Sequence, residues 1–314
     1  MKTLATIIAF SIFTLSVTAC SHNHTYSSGL FGGKTIKASK NYVTKNIKVD
    51  NFTGLNLAGS PDVTYTQKAG KPTVEVYTSD NIVDLLDINV VNNTLNIKFK
   101  KGVNVSYNKL EIRISSETLN NISVAGSGNV TLANGLKTNQ LKMSVAGSGD
   151  INANNIACTN ELSISIAGSG DIQGSNITCT NLKTSVAGSG DLKLNNVSAT
   201  DTEASVAGSG TAILTGTTQE ASYRVAGSGD LFASDLQAKR VSASVSGSGD
   251  IKCHATDFLK ARTSGSGDIG YKGNPELRYI TREAAPMLQH LAQQRNGWSD
   301  LPGIIAFVPA SILL

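Results

Sequence analysis

The chain has 314 residues, a formal net charge of +4 and 40% hydrophobic residues, with 30 glycines but only 5% aromatic residues. The small basic excess is unclustered, which argues against a nucleic-acid partner, and the few aromatics form no stripe for stacking sugars. Phosphate-loop and nucleophile-elbow patterns are absent, because the Gly-Ser-Gly motifs lack the later glycine or lysine those sites need.

Residues 1–19 have a charged start at Lys2, an apolar run through Ile7-Ile8-Ala9-Phe10 and small residues before Cys20, as an export signal requires. Val17-Thr18-Ala19-Cys20 resembles a bacterial lipobox. The resemblance implies cleavage before Cys20, a thioether-linked diacylglycerol on its sulfur and an acyl chain such as palmitate on its amine. Several chains together anchor a protein stably. Ser21 in place of an aspartate implies the outer membrane, with the periplasmic or surface side left open. Residues 20–40 read as a flexible tether, in which His22 and His24 have no neighbouring cysteine or carboxylate to complete a metal site.

Over residues 41–121, longer alternating runs predict strands at Val74–Tyr77, Leu95–Phe99 and Leu110–Ile114, with a hairpin turn at Asn92-Asn93. Ser79-Asp80 predicts a short capped helical turn. Leu57-Ala58-Gly59-Ser60-Pro61-Asp62-Val63 is a degraded copy of a phrase that dominates the next segment. This region therefore starts the same architecture or caps it.

From 122 to 278 that phrase, Val-Ala-Gly-Ser-Gly-Asp-Ile, recurs eight times. Its first glycines are Gly126, Gly147, Gly168, Gly188, Gly208, Gly227, Gly247 and Gly265, spaced by 21, 21, 20, 20, 19, 20 and 18 residues. Such a period is the mark of a solenoid. Apolar columns, mostly β-branched, alternate with polar positions, which predicts strands with one buried side. The fold class is all-β: a parallel β-helix of coils about 20 residues long, right-handed as parallel crossovers nearly always are, with an N-terminal β cap. Eight coils about 4.8 Å apart make a rod of roughly 35 Å.

After the second glycine stand Asp150, Asp171, Asp191, Asp230, Asp250 and Asp268, with Asn129 and Thr211 in the other two units. Stacked carboxylates at about 4.8 Å in water repel by only about 0.9 kcal/mol per pair. They read either as corner caps bonding amides of their own corner or as a ligand face, with Ca²⁺ as the ion that would relieve the repulsion. Asn129 and Thr211 favour capping, since both cap turns and neither replaces a carboxylate well in an ion site. A second ladder, Asn155, Asn176 and Asn196 with Asp235, predicts amides bonded along the rod axis. Cys158 and Cys179 share one small inward column, where a packed thiol pair is favoured over a disulfide, and Cys253 falls elsewhere.

No catalytic constellation is legible, and no enzyme is expected. Arg224, Arg240, Lys252 and Arg262 lie on late coils but are read in different columns, accompanied only by His254, as scattered solvated charge. Residues 279–314 depart from the pattern. They predict a helix over 281–294, then Trp298 and an apolar run, 301–308, too short to span a bilayer. This tail reads either as a cap on the last coil or as non-homologous sequence.

The lipobox, Asn51-Phe52-Thr53-Gly54-Leu55 and the serial Ser-Val-Ala-Gly-Ser-Gly-Asp-Ile units together resemble the GIN-domain family, named for the heads of autotransporter adhesins, over about residues 44 to 277. The resemblance implies a right-handed β-helix in exported proteins common among Bacteroidetes, an adhesive role and no catalytic residues. The expected function is a lipid-anchored envelope module for adhesin-like binding or scaffolding, touching a glycan or an envelope protein, with no cofactor unless Ca²⁺. The rivals are a purely structural envelope protein and a carbohydrate-active β-helix enzyme. The enzyme would show a groove where a carboxylate and a basic side chain converge.

Overall fold

The computed structural model describes residues 35–279 and, as backbone, 306–308. The export signal, Cys20, most of the tether, the 281–294 helix and Trp298 lie outside the described residues.

The predicted alternation closes into stacked parallel coils, an all-β solenoid of about 8 turns. One coil shows the design. Ile151–Asn154, Ile156–Cys158 and Glu161–Gly168 form three sides of a triangle, each pairing in parallel with the next coil. Ile151, Ala153, Ile156, Cys158, Leu162, Ile164 and Ile166 all point inward and are buried, because side chains alternate across a strand. The core is a set of vertical columns in which volume is balanced between coils. Tyr223, fully buried, stacks between Ala204 and Ala243, as close packing demands.

The first corner is Gly-Ser-Gly, and its two glycines are required for different reasons. Gly147 has φ +140°, a conformation that side chains resist. Gly149 does not, but a Cβ there would overlap the carbonyl oxygen of Gly128 and stand 2.9 Å from Val124 Cγ1. The second corner is turned by Asn155, Asn176 and Asn196 at φ 58°, 55° and 53°, a left-handed conformation that asparagine tolerates. The third corner varies in length, and the coil register shifts there between Thr138 and Gln140.

Solenoid and cap interlock at the N-terminus. Gly54–Gly59 pairs in parallel with Asn121–Gly126, so the degraded phrase is itself the first rung. Two sides then extend outward, through parallel joins at Leu110–Ser116 and Thr94–Phe99, into strands antiparallel to one another. Leu110–Ser116, Thr73–Ser79 and Tyr42–Ile47 continue the first side, and the hairpin Leu86–Val91/Thr94–Phe99 continues the third. Asn92 and Asn93 turn that hairpin at φ 50° and 59°, the primed turn that suits strand twist. The helical turn is Asp80–Val83, but Ser79 makes no side-chain cap. Its hydroxyl donates instead to the Ser39 carbonyl at 2.7 Å, and the Asn81 amide is taken by Asp80. The end of the expected tether is also ordered into the fold, with Thr35–Lys37 pairing in parallel with Asn104–Ser106.

At the other end the coil beginning at Ile251 cuts across the second corner, its register jumping from Phe232↔Lys252 to Gln237↔His254. Ala306–Val308, from the apolar run of the tail, pairs antiparallel with Ile269–Tyr271. No helix among the described residues is long and apolar enough to cross a membrane.

Candidate functional site

The aspartate ladder is built by the Gly-Ser-Gly corner, which presents one side chain per coil at the same height. Asp150 Oδ1 accepts from the Asp171 amide at 2.9 Å, Asp171 from Asp191 at 2.8 Å, and Asp191 from Thr211 at 2.9 Å. Asp230 and Asp250 serve Asp250 and Asp268 likewise. The carboxylates therefore cap amides of the next coil, not of their own corner as expected, because the corner's own amides, such as those of Ser148 and Gly149, are already bonded to the Gly126 carbonyl of the preceding coil. Asn129 does the same for Asp150, at 2.9 Å. Asp62 heads the ladder, accepting from the Asn129 amide at 3.1 Å, a role hidden by the Pro61 that disguises its copy of the phrase. Above Thr211, which has no carboxylate, the Asp230 amide falls back on the Gly210 carbonyl at 3.2 Å. Among the described residues no cluster of three His, Cys, Asp or Glu donors could hold a metal ion.

The asparagine ladder bonds as its spacing predicts, with Asn176 Nδ2 donating to Asn155 Oδ1 at 2.9 Å and Asn196 Nδ2 to Asn176 Oδ1 at 2.8 Å. Asp235 leaves the ladder for Lys272, 2.9 Å away. Cys158, Cys179 and Cys253 are free and buried. Burial pushes the Cys158 thiol up to about 12 and the Cys179 thiol up to about 11, so neither is a ready nucleophile. Burial, then Lys272, holds His254 below its ordinary range.

The third side carries a feature that has the form of a binding site. Two rows of outward side chains, two residues apart, flank a row that points inward, and pleating makes the space between them a trough along the rod axis. One ridge runs Gln140, Glu161, Asn181, Asp201, Glu220, Arg240 and Phe258; the other runs Lys142, Ser163, Lys183, Glu203, Ser222, Ser242 and Lys260. Leu182, Thr202, Ala221 and Val241 form part of the floor. Two hollows result, of about 500 Å³ over the early coils and about 380 Å³ from Asn181 to Lys260. Between them Lys183 Nζ reaches Glu161 Oε2, 2.6 Å away on the opposite ridge of the preceding coil. That contact raises the Lys183 pKa and divides the trough.

Arg224, Arg240, Lys252 and Arg262 are less scattered than their spacing implied. Arg224 and Arg262 share a column two coils apart, with Ser244 between them. Arg240 joins the trough and lies 3.8 Å from Glu220, whereas Lys252 is on the first side, over the Phe232 ring. Sequence reasoning missed Phe258, Lys260 and Arg278, which coil register brings beside Arg240. Phe258 lies between the Arg240 and Arg278 guanidinium groups, 5.9 and 5.8 Å from its ring centroid.

A family model described as "Putative auto-transporter adhesin, head GIN domain" matches residues 51–215 and 161–275, most of the solenoid and its cap. The chain belongs to the GIN-domain family. Solved structures resemble this GIN domain in fold and length. A "putative lipid binding protein" from Parabacteroides distasonis is 29% identical with a TM-score of 0.59, over 78% of this chain and 95% of that one. A "putative adhesin" from the same species is 27% identical with a TM-score of 0.60, over 78% and 95%. A "putative adhesin" from Parabacteroides merdae, 24% identical with a TM-score of 0.57 over 78% and 94%, shares the fold. No curated protein matches.

Proposed function

We propose that this GIN domain is an adhesin-like binding module of the cell envelope, held to the outer membrane by lipid on Cys20 and binding through its solenoid surface. The observation that carries the reading is the long trough on the third side, lined by polar and charged side chains that no core contact requires. A rod with one side chain per coil at fixed spacing suits a repetitive partner held by many weak contacts. The family description and the adhesin and lipid-binding names of the similar structures support binding, and the lipobox supports the anchor. The aspartate ladder is a second candidate face, with one carboxylate oxygen already committed to an amide at each of the bonded rungs.

The test is a screen of the full chain against glycans and envelope fractions, with calcium and with chelator, together with labelled palmitate on cells. The reading expects saturable binding, and palmitate labelling lost in Cys20→Ser. Calcium-dependent binding lost in Asp171→Asn would move the site to the ladder. No saturable binding would leave a structural role.

One observation favours a second reading. The trough brings Asp201, Glu203 and Glu220 close to Lys183 and Arg240, the convergence expected of a carbohydrate-active enzyme. All three carboxylates are exposed, without the burial on which a catalytic acid draws. Depolymerisation of a bound glycan, abolished by Glu203→Gln, would establish that reading over simple binding.

A further inference from the structure

The trough changes sign along its length. Its middle carries Asp201, Glu203 and Glu220, whereas Arg224, on the strand of Glu220, and Arg240, Lys260, Arg262 and Arg278, on the coils beyond, lie on the same side of the rod. Register makes this a cluster. Lys260 is the Cα partner of Arg278, and Arg262 is two residues along the same strand, so all three project outward together. Among the described residues neither Lys260, Arg262 nor Arg224 has a carboxylate within ion-pair distance, and Arg240 has only Glu220, at 3.8 Å. Glu276 is an acidic neighbour in register, beside Phe258. Like charges stacked about 4.8 Å apart repel by about 0.9 kcal/mol per pair in water, and among the described residues little built-in counter-charge offsets it. The Arg240 and Arg278 guanidinium groups both lie within cation–π distance of the Phe258 ring, 5.9 and 5.8 Å from its centroid. Ser222, Ser242 and Ser244 stand among the cations and add hydroxyl donors and acceptors.

Resting on the binding reading above, we infer that this end of the trough binds the anionic groups of an acidic polysaccharide whose chain lies along the rod axis. Three observations choose a polysaccharide over an acidic peptide. The trough lies on the face of a sheet whose backbone groups are already bonded between coils, so an extended peptide finds no strand edge to pair with. The mid-trough carboxylates Asp201 and Glu203 repel an acidic peptide whose side chains offer only carboxylates, whereas each acidic sugar also carries ring hydroxyls that donate hydrogen bonds to them. The ridges also repeat at about 4.8 Å, close to the length of one sugar ring. Arg240 and Lys260 supply charge-assisted bonds to carboxylate or sulfate, and the acidic middle disfavours those groups elsewhere in the trough.

The experiment measures binding of the full chain to polygalacturonate, to dextran as a neutral polymer and to polyglutamate. The variants are R240Q/K260Q and, as an equal loss of charge on the cap, K68Q/K71Q, with melting curves to show that both fold. The expected result is polygalacturonate binding weakened about tenfold or more in R240Q/K260Q but within about twofold of the parent in K68Q/K71Q, with dextran and polyglutamate far weaker. Equal weakening in both variants reduces the effect to net charge and overturns the inference. So does polyglutamate binding as tightly as polygalacturonate. If the chain ignores polygalacturonate but still captures an envelope component in the screen above, this inference falls and the binding reading stands. Silence in both assays removes both.

Discussion

The Gly-Ser-Gly corner and the trough are opposite uses of the same repeat. At the corner eight successive coils carry the same Gly-Ser-Gly, because its glycines touch the coil below. Gly168 has φ +144°, and a Cβ on Gly170 would overlap the Gly149 carbonyl and stand 2.8 Å from Val145 Cγ1. On the trough, one column reads Gln140, Glu161, Asn181, Asp201, Glu220, Arg240 and Phe258. Its backbone is as regular as the corner, but its side chains point to water. Within this chain, repetition marks what stacking demands, and departure from it marks where a partner can be read.

That contrast can be broken at the corner. Gly170→Ala forces the overlap just described, and overpacking of this kind costs roughly 3 kcal/mol or more where backbone cannot move aside. Chemical denaturation should show a large drop in midpoint, or no folded protein. The inward columns can be stressed by pH, through the thiols inside the rod. Cys158 and Cys179 hold their protons to about 12 and about 11 when folded, against an ordinary value of 9.0. The unfolded chain loses those protons first, so their contribution to stability is complete below pH 9 and lost as pH rises through the folded values. Melting from pH 8 to 11 should fall less in C158A/C179A than in the parent.

A smaller effect sharpens the comparison at the ladder. Asp171→Ala strips the cap from the Asp191 amide and should cost about 1 kcal/mol. Asp171→Asn should be nearly neutral, since Asn129 already fills that role. An Asn variant as damaged as the Ala variant would mean that charge, not capping, matters there. The smallest effect is on the trough. Glu161→Gln removes an exposed ion pair worth about 0–1 kcal/mol, so melting should hardly move, while ligand binding should change if the two hollows act as one.

Much of this was legible beforehand. The inward columns, the Asn92-Asn93 turn and the Asn155 ladder follow from residue type at a fixed period, because each answers to its own backbone or to the coil directly below. The capping geometry was half legible: the side chains were evident at Asp150 and Asp171, but the bonded amide belongs to the next coil. Asp62 escaped because Pro61 stands where its phrase would carry a glycine. The trough was the least visible part, since Arg224 and Arg262 lie 38 residues apart and meet one column only through Ser244.

By itself the sequence determined the coil, its corners and the residues that fill its core, since these are demands of local conformation and of a neighbour about one period away. Only the tertiary structure decided which exterior side chains share a face. Coil length drifts from 21 to 18 residues, and the changes are absorbed at corners, as at Thr138/Gln140 and Phe232/Gln237. Each slip is confined to its corner and the strands beyond it return to register, so it is the stacking of coils that turns residues about one period apart into the group of Arg240, Phe258, Lys260 and Arg278.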